Sequence, residues 1–391
     1  MREMKDSNAE LLGKIPKHWT VCKLKYIMNN YDNLRKPVDA GKRCQTGDVL
    51  YNYYGASGVI DSINGFTHSG KYLLIGEDGA NLVLRHLPVV YIAEGKFWVN
   101  NHAHVLSTKK DFSLSFFAYQ MEVIDYYNYI TGSAQPKLSQ FNLNLVKLIV
   151  PPTSEQHRIA DFLDQKCTEI DALTADIQTQ IETLEEYKKS VITEAVTKGL
   201  DPNVELKDSG VEWVGKIPKD WGVIPVKFCF SITNGSDPKS DEGDTPVYGS
   251  GKGHFKTCKE FKKGPTVLLG RKGTVNIPQW IEGNYWNVDT AFDVHAKGNY
   301  LLKLFFYAAS CFDYDNYSTQ TALPSMTQSN YLNFRIPFMN VEEQRQIVDF
   351  LDQKCAEIDQ TISEKQQQLE TLAEYKKSLI YEYVTGKKEV A

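Results

Sequence analysis

The chain has 391 residues, 42% of them apolar, a mean hydropathy of -0.39 and a net charge of -5, a length that accommodates two domains with buried cores. No apolar run approaches the roughly 18 residues of a membrane-spanning helix. The charged start MREMKDSNAELLGK argues against a secretory signal, and seven cysteines without a CxxC pair argue against a disulfide framework or a zinc site, so a cytoplasmic protein is expected. The acidic sum hides an uneven distribution: residues 20–150 carry a net +3 and 222–338 a net +2, whereas 155–198 carry -5 and 342–389 carry -4.

In chain order, the first element is a lead-in, KDSNAELLGKIPKHWTVCKLK (residues 5–25). A stretch of about 120 residues follows, in which short β-rich runs (DVLYNYYGASGVI, KYLLIG, PVVYIA, FWVNNHAHVL) alternate with glycine-bearing turns. Next come a short helix, SLSFFAYQMEVIDYY (113–127), a polar loop, AQPKLSQFNL (134–143), and a strand, LVKLIVPP, running straight into a helical stretch. There Ile159, Leu163, Ile170, Leu173, Ile177, Ile181, Leu184 and Val191 recur mostly at three- and four-residue steps, which predicts a long amphipathic helix with a coiled-coil-like seam. Pro151-Pro152 ends the preceding strand, Thr153 or Ser154 is placed to cap the helix, and Gly199 stops it.

The same order then begins again. Residues 207–227 repeat the lead-in as KDSGVEWVGKIPKDWGVIPVK, and 343–385 repeat 155–197 with 27 identities in 43 positions and no gap. The second helix carries its apolar positions at Ile347, Leu351, Ile358, Ile362, Leu369, Leu372 and Leu379, with Asn340 standing three residues before Glu343 as in a capping box and Gly386 at its end. Between these copied frames the β-rich stretches share only short correspondences: Tyr54-Gly55 with Tyr248-Gly249, LLIGEDG (73–79) with VLLGRKG (267–273), and AQPKLSQFNL (134–143) with ALPSMTQSNY (322–331). A helix follows here too, LKLFFYAASCFDYDNY (302–317).

The expected architecture is α+β: two globular α/β recognition domains separated by two long helices that pack as an antiparallel coiled coil about a pseudo-twofold. The expected boundaries are 1–152, 153–198, 199–339 and 340–391. At about 1.5 Å per residue each helix would be a rod of roughly 60 Å. Cys167 and Cys355, at matching positions, are expected as small buried seam residues. A near-copied frame around diverged inserts means one job done twice by the frame and two different jobs of one kind done by the inserts. The near-identical EYKKS segments (Glu186–Ser190, Glu374–Ser378) would suit two identical partners.

Those inserts carry residue types that read nucleic acid: Asn and Gln for adenine, Arg and Lys for guanine, and Lys, Ser and backbone amides for phosphate. The candidates are Tyr54, Lys71, Asn81, Asn100, Asn101, His102, Gln135, Lys137 and Gln140 in the first domain, and Tyr248, Lys252, Arg271, Lys272, Asn287, Gln320, Ser325 and Gln328 in the second. No catalytic or metal site is expected. YGSGKGHF (248–255) lacks the spacing of a phosphate-binding glycine loop, and HExxH and GxSxG are absent. The one Pro-Pro, Pro151-Pro152, is followed by Thr153 rather than by the aromatic residue of an adenine methyltransferase motif.

With these residues in view, the chain resembles along its whole length the specificity subunits of type I restriction–modification systems. The resemblance is carried by the IP-x-x-W lead-ins (Ile15-Pro16, Trp19; Ile217-Pro218, Trp221), the EQ-x-x-I helix starts (Glu155-Gln156, Ile159; Glu343-Gln344, Ile347), the LD-x-K segments, the EYKKS–VT helix ends and the circular repeat order. It implies a non-catalytic protein with two target recognition domains, each reading half of a bipartite site on double-stranded DNA through the major groove. It also implies paired helices that fix the unread spacer, two modification (methyltransferase) subunits docked on those helices, and restriction subunits joining the larger complex. S-adenosylmethionine, ATP and magnesium then belong to the partners, and no cofactor to this chain. One departure is that the second domain has Leu323 and Ser325 where the first has Gln135 and Lys137. An alternative is the DNA-specificity module of another restriction–methylation system whose catalytic part is a separate chain.

Overall fold

The computed structural model describes residues 3–7, 13–43, 49–109, 111–132, 136–319 and 324–390. The chain forms two compact units, residues 1–177 with 368–391 and residues 178–367. Each unit therefore takes the beginning of one long helix and the end of the other. The helices run Thr153–Lys198 and Val341–Val384.

In the first unit a six-stranded sheet has the order Met28–Asn30, Ala103–Thr108, His68–Gly76, Val90–Val99, Tyr51–Gly55, Gly58–Ile63. All neighbours are antiparallel except Tyr51–Gly55, which lies parallel to Val90–Val99. The second unit repeats this arrangement as two four-stranded sheets. Where the first unit has the strand His68–Gly76, the second has Lys262–Lys263 and Thr266–Gly270, interrupted at Gly264-Pro265. Pro265 has no N–H to give to a ladder. The long strand Val90–Val99 is matched by Gln279–Ile281 and Asn284–Asn287, interrupted at Glu282-Gly283.

The short helices are shorter than the sequence pattern predicts. The first spans Leu114–Val123, with the Ser113 side chain accepting from Phe116 N–H. It ends where the Arg85 guanidinium donates to the carbonyls of Glu122 and Ile124, taking up groups that would otherwise continue the helix. Its counterpart, Leu302–Ala309, ends where the Tyr314 hydroxyl donates to the Ala309 carbonyl (2.8 Å).

Within each unit the two helix segments run antiparallel. In the first, Phe162 meets Tyr383 with ring centroids 4.5 Å apart, and Lys376 pairs with Asp171 at 2.6 Å. In the second, Lys188 pairs with Asp359 at 2.6 Å and Lys365 bonds Gln180. Leu173, predicted on the seam, is 47% exposed. The seam alternates four- and three-residue steps through Leu163, Cys167, Ile170, Thr174, Ile177 and Ile181, and Leu173 falls one residue off it. The position of Thr174 is filled in the second helix by the buried Ile362. Cys167 and Cys355 are buried on this seam, and burial raises both thiol pKa values.

The repeated motifs have a common mechanical role. Gln156 and Gln344 are buried. Their side chains accept from Ser113 N–H (3.0 Å) and Leu301 N–H (2.8 Å), and donate to the carbonyls of Pro151 (2.8 Å) and Met339 (3.0 Å). Glu155 accepts from Trp19 Nε1 (3.2 Å) and bonds His18 (2.7 Å), and Gly386, at the end of the other helix, lies against Trp19 and Pro16. In the second unit Trp221 packs on Gly199, with Glu343 beside it. Both glycines have positive φ, +77° and +71°, as expected of helix stops. Asn340 caps the second helix, its Oδ1 accepting from Glu343 N–H at 2.9 Å, while the return bond to the Glu343 carboxylate (3.4 Å) comes from its side-chain Nδ2 rather than from its backbone N–H as in a full capping box. The first helix differs from expectation. Thr153 is already helical, and the Pro152 carbonyl accepts from Glu155 and Gln156 N–H.

Candidate nucleic-acid interface

At one edge of each unit three loops are tied together by backbone hydrogen bonds. In the first unit Glu77 N–H donates to the His102 carbonyl (2.8 Å), Gly79 N–H to Pro136 (2.7 Å) and Leu138 N–H to Glu77 (2.9 Å). In the second, Arg271 N–H donates to Thr290 (2.7 Å), Gly273 N–H to Pro324 (2.8 Å) and Met326 N–H to Arg271 (2.9 Å). The same isolated bridge accompanies each set, Asp78 with Lys137 and Lys272 with Ser325. A Cβ on Gly79 would lie 2.6 Å from the Pro136 carbonyl oxygen, so only glycine permits this approach. We call this arrangement the clasp. The next helix starts alike in both units, with the Ser139 hydroxyl accepting from Asn142 N–H (3.2 Å) and the Thr327 hydroxyl from Asn330 N–H (3.1 Å).

The clasp gathers several of the predicted residues. Asn101, His102 and Lys137 sit on its loops in the first unit, and Arg271, Lys272 and Ser325 in the second. Gln140 is exposed on the first turn of the following helix, and Gln328, at the matching position, donates to the Ile232 carbonyl. Tyr54 adjoins the clasp through its carbonyl, which accepts from Asn100 N–H (3.1 Å), while its ring stacks on Tyr91 and meets Phe97 edge-on. Tyr248 makes the matching bond with Val288 N–H (3.0 Å).

Other candidates are placed elsewhere. Asn287 is fully buried with both ends of its amide engaged, donating to the Ala291 carbonyl (2.9 Å) and accepting from Lys262 (2.7 Å). It supports a loop and cannot face a ligand. Asn100 is buried and accepts from His102 N–H (2.8 Å). Asn81 closes its own turn, donating to the Leu87 carbonyl and accepting from Leu87 N–H, both at 3.1 Å. Lys71 lies along its strand opposite Glu94, 3.7 Å away. Lys252 lines a groove of about 960 Å³ with Trp280 and Lys303. Gln135 and Gln320 lie outside the described residues.

Residue-type reasoning missed the charged groups that hold the clasp. Arg35 reaches Glu77 (3.0 Å) and the carbonyls of Asn101 (3.4 Å) and Ala103 (3.0 Å). Asp32 binds His104 (2.6 Å) and Val105 N–H (2.9 Å). Burial pushes the Asp32 carboxyl up, but the hydrogen bond and charge of His104, with the bonds to Val105 N–H and Asn30, together outweigh it and hold the pKa below the ordinary value. The signal available for Glu77 and Asp78 was their alignment with Arg271 and Lys272. In the second unit the analogous interior network is Asp293, fully buried, bonded to Thr266 (2.7 Å), Tyr285 (2.8 Å) and Lys262 (3.0 Å). Among the described residues no group of three or more His, Cys, Asp or Glu side chains is placed to hold a metal, and no helix is long and apolar enough to cross a membrane.

Two α+β units of one plan, alike in frame and unlike in loops, make this a duplicated two-domain protein with a matching loop edge on each unit. The family described as the type I restriction modification DNA specificity domain matches residues 16–183 and 218–371, more than half of the chain, and the chain belongs to that family. A type I restriction enzyme specificity subunit of Haemophilus influenzae is 33% identical over 138 residues, 35% of this chain and 34% of that protein. The MjaX specificity subunit of Methanocaldococcus jannaschii is 24% identical over 400 residues, covering 94% of this chain and 83% of that one. A solved chain from a study of complex assembly and conformational transition of the type I restriction–modification system shares the fold, with a TM-score of 0.70 at 12% identity over 96% of this chain and 99% of its own length.

Proposed function

We propose that this specificity subunit reads a two-part site on double-stranded DNA, one half per unit, and scaffolds two methyltransferase subunits and the restriction subunits of a type I complex. The observation that carries this reading is the clasp: the same backbone bonds in both units, dressed with different side chains at the surface. A frame held constant while its tips vary is what two readers of different sequences need. The helix surfaces behave oppositely. Tyr187 and Tyr375 are both exposed, at matching positions of near-identical segments, and the cross-helix ion pairs Lys188–Asp359 and Lys376–Asp171 are copies of each other. Identical surfaces suit two copies of one partner.

In this reading the chain acts in the cytoplasm, catalyses nothing and needs no cofactor; S-adenosylmethionine, ATP and magnesium serve its partners. The helices set the spacer between the half-sites. The test is domain exchange in cells carrying the cognate methyltransferase, with methylated sites mapped by single-molecule sequencing. Replacing residues 28–150 with the corresponding stretch of another family member should change one half of the motif and leave the other. Adding one heptad to both helices should change the spacer alone. A motif unmoved by the exchange, or methyl transfer by the isolated chain, refutes the reading.

A further inference from the structure

The clasps match in backbone bonding but carry opposite charge on the loop that leaves the central strand, Glu77-Asp78-Gly79 in one unit and Arg271-Lys272-Gly273 in the other. The first residue of each pair is held by neighbours within its own unit. Glu77 is bound by Arg35 (3.0 Å) and Lys137 (3.5 Å) with its side chain 17% exposed. Arg271, with its side chain 36% exposed, donates to the Asp289 carbonyl (3.2 Å). The second residue turns outward. Asp78 is 43% exposed beside His102 (3.2 Å), itself 45% exposed. Lys272 is exposed, and its side chain has no hydrogen-bond or ion-pair partner among the described residues. The bridges Asp78–Lys137 and Lys272–Ser325 show that the two occupy one position.

An exposed carboxylate on a DNA-facing edge lowers affinity for every sequence, because it meets phosphate charge. Besides holding the His102 ring, it can serve such an edge by accepting from a base. Two bases offer an amine in the major groove. That of adenine stands beside the N7 acceptor, which repels a carboxylate, while that of cytosine does not. An ammonium at the same position finds its best partner in guanine O6 and N7.

We infer that this position is a shared reading point of opposite polarity, at which Asp78 selects a cytosine in one half-site and Lys272 a guanine in the other. The inference rests on the proposed DNA-reading function and adds to it which base each half recognises there.

The experiment uses the full chain assembled with its methyltransferase partner, with binding selection from randomised duplexes and methylome mapping. Both side chains are exposed, so Asp78→Ala and Lys272→Ala should leave circular dichroism and thermal unfolding unchanged. Asp78→Ala should relax one cytosine position of one half-site by about 5- to 150-fold in discrimination, leaving the other half intact. Lys272→Ala should do the same to one guanine of the other half. Asp78→Lys should turn the cytosine preference into guanine. A change in affinity that is uniform across sequences, loss of all binding by a folded Asp78→Ala chain, or a wild-type half-site made only of A·T pairs overturns the inference. The domain exchange separates this failure from failure of the function itself: a motif that follows the exchange but ignores both point variants refutes the reading point alone.

Discussion

Replacing Gln156 by Ala should unfasten the first unit at the junction of its short and long helices. The wild-type side chain is buried, accepts from Ser113 N–H (3.0 Å) and donates to the Pro151 carbonyl (2.8 Å). Its removal strands both backbone groups away from water. At about 1–3 kcal/mol for each buried group left unpaired, the cost is roughly 2–6 kcal/mol, a large share of the 5–15 kcal/mol typical of a domain. Ser113 also caps the helix Leu114–Val123, so the loss should appear first in that helix. Hydrogen–deuterium exchange reads it directly: amides of this helix should exchange about 30-fold faster or more. Amides of Leu302–Ala309 in the other unit should be unchanged. Gln344→Ala should produce the mirror result through Leu301 N–H and the Met339 carbonyl. Gln165→Ala, on the exposed helix face, should shift stability by no more than about 0.5 kcal/mol. If Gln156→Ala costs less than that as well, the reasoning that the repeated Gln ties helix to helix is wrong.

Three further outcomes are expected. His68 is buried, stacked on Phe97 at 5.5 Å, and its Nε2 has no hydrogen-bond partner among the described residues; burial lowers its pKa. The unfolded chain then binds the proton more readily. The stability associated with neutral His68 is therefore full above about pH 6.5 and is lost as pH falls through the depressed folded value; urea unfolding of wild type and His68→Phe across pH 5–8 should show a slope that the variant loses. The ion pairs Lys376–Asp171 and Lys188–Asp359 are partly exposed, so double-mutant cycles should give about 0.2–1 kcal/mol each, shrinking in high salt. Gly79→Ala places a methyl 2.6 Å from the Pro136 oxygen, so it should open the first clasp, abolish recognition of one half-site in binding selection and spare the other.

Much of the frame is legible in the sequence because duplication tests each pattern twice. Helix periodicity, the Asn340 cap and the glycine stops follow from local rules acting on adjacent residues. Leu173 shows where such rules slip. A Leu three residues after Ile170 and four before Ile177 fits the pattern arithmetically, yet the alternation of fours and threes passes through Thr174. Only the copy, which has Ile362 at that position, betrays the true seam. The division of the chain into units is less legible. Each unit joins the start of one helix to the end of the other, and contacts such as Gly386 with Trp19 cross most of the sequence.

The candidate site was legible in position more than in chemistry. Asn and Gln attract attention as adenine readers, but an amide that can both donate and accept is equally suited to closing a turn, as Asn81 does, or filling a buried polar gap, as Asn287 does. Whether a given amide is spent internally depends on which carbonyls the fold leaves unpaired nearby, and no local pattern reveals that. The acidic pair Glu77-Asp78 lies outside the residue types read as DNA-binding from the sequence, although it aligns with Arg271-Lys272. Yet a carboxylate's unsuitability for general DNA affinity is what makes its presence on a clasp informative. Lysine at such a place can hold phosphate or base, whereas an aspartate is repelled by phosphate and can bond a base only through an amine. The most discriminating residue of a reading surface can therefore be the one whose charge looks wrong for it.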